Sequence, residues 1–387
     1  MQRYLSANRI YPVSSEAIEN GVLEVSETGE IISIMTADEA TNRKIEGVEQ
    51  YEGVLVPGFV NTHCHLELSH LFEKIPEHTG LPAFVRQIVA QRAAEDEVVL
   101  AAMAEADKQM YENGIVAVGD ISNVLLSKEI KQRSPLHYHT FVEVFGFDKP
   151  SLPIIEDAIK IRDSYWPLKA SIVPHAPYSV SGELFKYIEK NTRPQDILSI
   201  HNQETAAENE FFEKGTGDFE TMYQRMGVAK SAAHGTGENA IRYHLPQMPQ
   251  NRTLLVHNTF TSKADIDFAT AHHKDLYWCL CPAANNYIEN KLPDVNIFID
   301  PLLKVTLGTD SLASNHQLSI LAEMCALQQS FHLPFETLLK WGTLNGAKFL
   351  GIDSWCGSFE IGKKPSVNLI GVDAAGGIKS DKVKRLI

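Results

Sequence analysis

Val54-Leu-Val-Pro-Gly-Phe-Val-Asn-Thr-His63-Cys-His65-Leu-Glu67 decides how the rest of the chain is read. An apolar run from Val54 to Val60, interrupted by Pro57-Gly58, ends in His-Cys-His. Continuous apolar runs of this kind suit a strand buried on both faces. Side chains at i and i+2 of a strand point the same way, about 6.6 Å apart at roughly 3.3 Å per residue. His63 and His65 can therefore reach one metal ion at about 2.0–2.1 Å each, while Cys64 points to the other face. His-x-His alone is a weak signal. His137-Tyr-His139 repeats it at the start of another strand, where it reads as packing.

Bulk properties narrow the setting. The 387 residues accommodate a barrel of about 250 residues plus a smaller unit. A net charge of −14 argues against nucleic acid or an anionic membrane surface as partner, leaving a small-molecule substrate. No apolar run approaches the roughly 20 residues of a membrane span, and the first residues lack a signal-peptide core. Five cysteines, an odd number without framework spacing, argue for a reducing cytoplasm. Assembly into a homo-oligomer is left open.

Upstream of the opening stretch, Arg3–Ile10, Gly21–Val25 and Ile31–Met35 read as short strands, followed by the polar stretch Thr36–Glu52. Downstream, strands and helices alternate. Strands are expected at Ile115–Asp120, His137–Phe147, Lys169–His175, Ile197–His201, Thr253–His257, Tyr277–Cys281 and Val305–Asp310. Helices are expected at Ala83–Arg92, Glu97–Asn113, Ile154–Ser164, Ser319–Phe331 and Pro334–Leu350. Alternation implies parallel pairing, and eight such strands predict an α/β fold of the (β/α)8 TIM-barrel type. Past Gly351 the chain turns to loop chemistry and a strand at Ser366–Val372. The expected organisation is a barrel over 53–350, with a small β domain assembled from 1–52 and 351–387.

The reactive residues fall at one edge of these strands. His63 and His65, His175, His201, His257 and Asp310 each close a candidate strand, and barrel active sites are assembled at the C-terminal strand ends. His63, His65, His201 and Asp310 are the expected ligands of one divalent ion, zinc first and iron second, with a position left for water. Glu204 follows His201 by three residues. If the chain turns helical there, the two share a face, and Glu204 can move protons to and from that water without binding the metal. His257 would stabilise developing charge or orient the attacking hydroxide with Asp310.

These residues resemble the amidohydrolase superfamily, in its cytosine deaminase and chlorohydrolase-like branch. The likeness rests on Pro57-Gly-Phe-Val-Asn-Thr-His63-Cys-His65, Val173-Pro-His175-Ala-Pro-Tyr-Ser-Val-Ser181 and His201-Asn-Gln-Glu204-Thr. It continues through Val256-His257-Asn, Cys281-Pro-Ala-Ala-Asn285, Leu307-Gly-Thr-Asp310-Ser-Leu-Ala-Ser-Asn315 and Gly357-Ser-Phe-Glu-Ile-Gly362-Lys. The resemblance implies a barrel with one metal and hydrolytic attack on a carbon bearing an amine. Two-metal relatives carry a modified lysine at the end of the fourth strand, where this chain has His175. The loop Pro282-Ala-Ala-Asn-Asn286 departs from the family's usual Pro-x-Ser-Asn, and that loop shapes the substrate pocket.

The expected activity is deamination of an aromatic N-heterocycle by metal-bound hydroxide. The run from Gly308 to Asn315, with His175, looks most like deaminases of adenine nucleoside derivatives, the aminodeoxyfutalosine type among them. Substrate contacts are expected from His175, Glu143, Glu67, Arg86, Asn285 and Ser311. Hydrolysis of a cyclic amide or chlorotriazine on the same site is the alternative, and a catalytically silent binding protein on the same barrel is a second. His272-His273 reads as a surface loop and Cys279-Leu-Cys281 as core packing.

Overall fold

A computed structural model describes residues 2–228 and 234–387. Strands β1 (Arg3–Ile10), β2 (Ile18–Glu19), β3 (Val22–Val25), β4 (Ile31–Met35) and β5 (Val48–Pro57) precede the barrel. The barrel strands are β6 (Phe59–Cys64), β7 (Ile115–Ser122), β8 (His137–Val144) and β9 (Lys169–Pro174), then β10 (Leu198–Asn202), β11 (Thr253–His257), β12 (Leu276–Leu280) and β13 (Val305–Leu307). Strands β14 (Val367–Val372) and β15 (Ile378–Arg385) close the chain.

β6 to β9 pair in parallel, as do β10 to β13. Two seams join these groups into one barrel. At the first, the His201 N–H donates to the His175 carbonyl at 2.9 Å. At the second, the N–H groups of Thr309 and Asp310 both donate to the His63 carbonyl, at 3.0 and 3.1 Å, and Cys64 bridges Asp310 in parallel. Every residue of β6 and β7 is buried, as a strand with helices on one side and a filled barrel on the other requires. The filling is partly polar. Asn61 donates to Thr309 Oγ1 at 2.7 Å and accepts from the Thr309 N–H at 3.1 Å.

The strands from both chain ends form one mixed sheet in the order β15-β14-β5-β1-β3-β4, with β2 on β1. β14 pairs antiparallel with β5, so the C-terminal segment lies against the strand that feeds β6. The apolar run Val54–Val60 is therefore two strands in two sheets rather than one. The break comes at Gly58, whose N–H donates to the Pro365 carbonyl while Phe59 N–H donates to that of Gly114. Gly114 itself, at φ +74°, ends the helix Asp96–Glu112 as its position predicts.

Other differences have local causes. The polar stretch 36–52 holds the helix Ala37–Asn42, started by a reciprocal Thr36–Glu39 capping box, and then the first half of β5. β15, Ile-Lys-Ser-Asp-Lys-Val-Lys-Arg, is missed by an apolar search because it is an edge strand guarded by lysines. The expected helix Pro334–Leu350 is interrupted by a π-helical turn at Trp341–Asn345, where Asn345 donates to the Val305 carbonyl at 2.8 Å. Among the described residues no helix is long and apolar enough to cross a membrane.

A Cβ added to Gly58 would lie 2.2 Å from Val116 Cγ1 and 2.7 Å from the Pro365 carbonyl oxygen. Gly58→Ala is expected to lose about 1–3 kcal/mol of stability by overpacking. The loss should be read as a lower urea midpoint at unchanged slope.

Candidate active site

The C-terminal strand ends open into a cavity of about 690 Å3. At its floor stand His65 from the end of β6, His201 from β10 and Asp310 just past β13, with the fully buried His63 of β6 against them. His65 Nε2 lies 3.1 Å from His63 Nε2 and 3.3 Å from His201 Nε2. Asp310 Oδ1 lies 3.6 Å from His63 Nε2 and 3.4 Å from His65 Nε2. Ligands about 2.0–2.1 Å from one tetrahedral ion stand roughly 3.3 Å from one another, so these separations match a shared ion.

The protonation states fit a cation too. Burial pushes His65 down to about 3 and holds His201 well below the usual imidazole range. His201 donates its Nδ1–H to the His175 carbonyl at 2.7 Å, which leaves Nε2 a bare lone pair aimed at the cluster. Burial alone would raise the Asp310 carboxyl. The surrounding His63, His65 and His257 side chains outweigh that and hold it below the usual carboxylate range. Three imidazoles and one carboxylate around one point are a divalent-metal donor set.

Glu204 and His257 face each other across the next position, Glu204 Oε1 to His257 Nε2 at 3.6 Å. Burial, and then the charge of Asp310, hold the Glu204 carboxyl well above the usual range. Burial likewise takes His257 down to about 4. Its Nδ1 lies 2.8 Å from Asn285 Oδ1, so Nδ1 carries the proton and Nε2 presents a lone pair to the cavity. His257 in this tautomer accepts a hydrogen bond. That suits orienting a water rather than stabilising negative charge.

The expected helical link between His201 and Glu204 is absent. β10 runs to Asn202, and the next helix begins only at Ala206. Gln203 turns the chain at φ +47°, with its N–H donated to Glu208 Oε1 at 3.0 Å. His257, Asn258 and Asp310 also have positive φ, at 75°, 58° and 55°. Such conformations are costly for these residues and cluster where function requires a side chain re-aimed at a strand end.

The remaining predicted contacts separate. His175, Glu143, Glu67, Arg86 and Ser311 line the cavity. Burial raises both Glu67 and Glu143 to about 7. Arg86 is exposed at the mouth, on the helix Leu81–Gln91. Asn285 is not on the wall but behind His257, where it sets the tautomer. Ser311 lies beside Ser314, whose hydroxyl donates to Asp310 Oδ2 at 2.5 Å.

Sequence reasoning passed over Asn123, which donates its N–H to Glu67 Oε2 at 3.0 Å and its side-chain amide to Glu143 Oε2 at 3.2 Å. It also passed over Asn258, which donates to the carbonyls of Leu255 and Cys279. A polar residue just past an apolar strand was the available signal for both. His139 bonds Ser171 Oγ at 2.9 Å, away from this site, and Cys279 and Cys281 are buried core residues. The surface expectation for His272-His273 holds for His272 alone. His273, just past the helix Lys263–His272, is buried, its Nε2 donating to the Pro249 carbonyl at 3.0 Å.

Comparison with known proteins agrees with this geometry. Residues 54–385 match the model of the amidohydrolase family. An adenosine deaminase of Helicobacter pylori is 28% identical over 332 residues, covering 82% of this chain and 79% of the relative. A 5-methylthioadenosine/S-adenosylhomocysteine deaminase of Bacillus cereus is 26% identical over 372 residues, covering 90% and 80%. In fold, the crystal structure of Helicobacter pylori aminofutalosine deaminase in complex with methylthio-coformycin superposes at a TM-score of 0.81. It is 24% identical and covers 98% of this chain and 94% of that one. With the family model spanning the strands that carry every one of these side chains, the chain belongs to the amidohydrolase family.

Proposed function

We propose that the chain is a zinc-dependent deaminase of adenine nucleosides carrying an apolar substituent on the 5′ side, the aminodeoxyfutalosine type among them. The observation that carries the reading is geometric: the ligand atoms of His63, His65, His201 and Asp310 converge at neighbouring separations of 3.1 to 3.6 Å, with Glu204 and His257 facing each other 3.6 Å apart beside them. His63, His65, His201 and Asp310 would hold the ion. Its contribution is Lewis acidity that lowers the pKa of a water toward about 7.

The chain's own groups do the rest. His257 Nε2 accepts a hydrogen bond from the water and aims it at the ring carbon bearing the amine. Glu204 gives its proton to the adjacent ring nitrogen as the carbon–oxygen bond forms. The resulting Glu204 carboxylate takes one proton from the added water and hands it to the departing amine, then takes the second as the carbonyl forms, which restores its acid form. Water enters, ammonia leaves, and the ring keeps a carbonyl.

The outer cavity supports the substituent. Leu81, Phe84, Val85 and Ile88 cover one side, and Phe147 and Met222 line it as well. Arg86, Arg92 and Lys149 at the mouth, against Asp148, favour a substituent ending in an anionic group. The five free thiols support a reducing compartment such as the cytoplasm.

The direct test offers the protein adenosine, 5′-alkylthio and 5′-aryl adenosines, cyclic amides and chlorotriazines, and measures ammonia and chloride. Ammonia from the nucleosides is expected. Turnover confined to the amides or triazines would overturn the reading. Glu204→Gln should keep its metal yet lose about 10²–10⁴-fold in kcat. A strong chelator should abolish turnover, and stoichiometric zinc should restore it. Phe84→Ala should raise KM roughly tenfold for the 5′-aryl substrate and change that for adenosine by less than about twofold.

A further inference from the structure

Lys131 is a cation sealed inside the barrel wall. Its side chain and that of Asp120 are both fully buried, with Nζ 2.6 Å from Asp120 Oδ2. Nζ also reaches Ser122 Oγ at 2.8 Å and Thr140 Oγ1 at 3.1 Å, so its three hydrogens are all engaged. The Tyr165 ring centroid lies 5.1 Å away.

Taking two charges out of water is costly, and exchanging a buried ion pair for apolar groups of similar size is often neutral or stabilising. Fold stability alone therefore gives no reason for this pair. The second oxygen of Asp120 supplies one. Oδ1 accepts the Leu66 N–H at 2.8 Å, and Leu66 directly follows His65. Asp120 stands opposite Cys64 in the register of β6 with β7. The first peptide beyond the His-Cys-His strand is thus pinned by a carboxylate whose orientation Lys131 holds.

We propose that Asp120 and Lys131 are positioning residues for the metal. The ion pair fixes the Leu66 peptide and, through it, the His65 imidazole within the 3.1 and 3.3 Å spacings to its neighbours. Metal sites accept only about 0.2 Å of error in ligand distance, so a loosened Leu66 would be felt as weaker binding. The inference rests on the reading of His63, His65, His201 and Asp310 as ligands.

The test combines Asp120→Leu with Lys131→Met, which removes both charges and the acceptor for Leu66. Zinc Kd is measured by competition with a chromophoric chelator, the melting temperature on the metal-free protein, and the visible spectrum after cobalt substitution. Melting at or near the wild-type temperature is expected, with zinc bound about 10–100-fold more weakly and the cobalt bands altered. Asp120→Asn with Lys131→Met keeps an oxygen for the Leu66 N–H and should recover most of the affinity.

Wild-type zinc affinity and cobalt spectrum in the leucine variant would overturn the proposal. If that variant does not fold, Lys131→Met alone decides by the same two readouts: weaker zinc and an altered spectrum support it, wild-type values overturn it. His65→Ala separates the two levels. Zinc lost in His65→Ala but not in the leucine variant sinks only the positioning role. Zinc bound normally by His65→Ala sinks the ligand assignment, and this inference with it.

Discussion

The His63 carbonyl accepts two hydrogen bonds, from the N–H groups of Thr309 and Asp310, and with them the last barrel strand closes on the first. The two residues are nearly 250 positions apart, and nothing local draws them together. Once the seam forms, the carboxylate of Asp310 stands beside the imidazoles of the same strand end. Asn61 reinforces the join from inside, through both the backbone and the side chain of Thr309. His201 arrives by the other seam, where its own N–H meets the His175 carbonyl and its ring Nδ1–H meets the same oxygen. Barrel closure and ligand convergence are one event.

Burial then assigns protons. The strand ends are buried, so uncharged forms are favoured unless a partner intervenes. His65, His201 and His257 are held below the usual imidazole range and keep lone pairs free. Asp310, with His63, His65 and His257 around it, is held below the usual carboxylate range despite its burial. Glu204, with Asp310 as a like-charged neighbour, keeps its proton. Two carboxyls of similar intrinsic acidity are driven apart by their surroundings, which is how one pocket comes to hold both a fixed anion and a proton donor at neutral pH.

The mixed sheet sets where the barrel begins. β14 lies against β5, the Pro365 carbonyl meets the Gly58 N–H, and the chain passes at once into β6. Below the strand end, Asp120 and Asn123 on the β7 side hold Leu66 and Glu67. The His-Cys-His segment is therefore held at its start by one sheet and at its exit by the neighbouring strand. Ligands presented on so supported an element are placed more tightly than ligands on a free loop.

Much was legible in the residue order. Alternating apolar runs and helical segments, with a histidine or aspartate closing most of the strands, specify the barrel and its reactive edge, because strand periodicity and strand ends are local properties. The same holds for His63, His65, His201, Glu204, His257 and Asp310 as the residues brought to one site. The route to Glu204 was not legible: a turn through a left-handed Gln203, stabilised by Glu208, replaces the helix that spacing suggested. Nor was the place of Asn285 behind His257, the burial of His273, or the Lys131–Asp120 pair. Each of these depends on which segments distant in sequence meet, and on the low dielectric their meeting creates. Residue order determined the chemistry available at the strand ends; only the closed barrel decided which nitrogen carries a proton and which carboxyl keeps one.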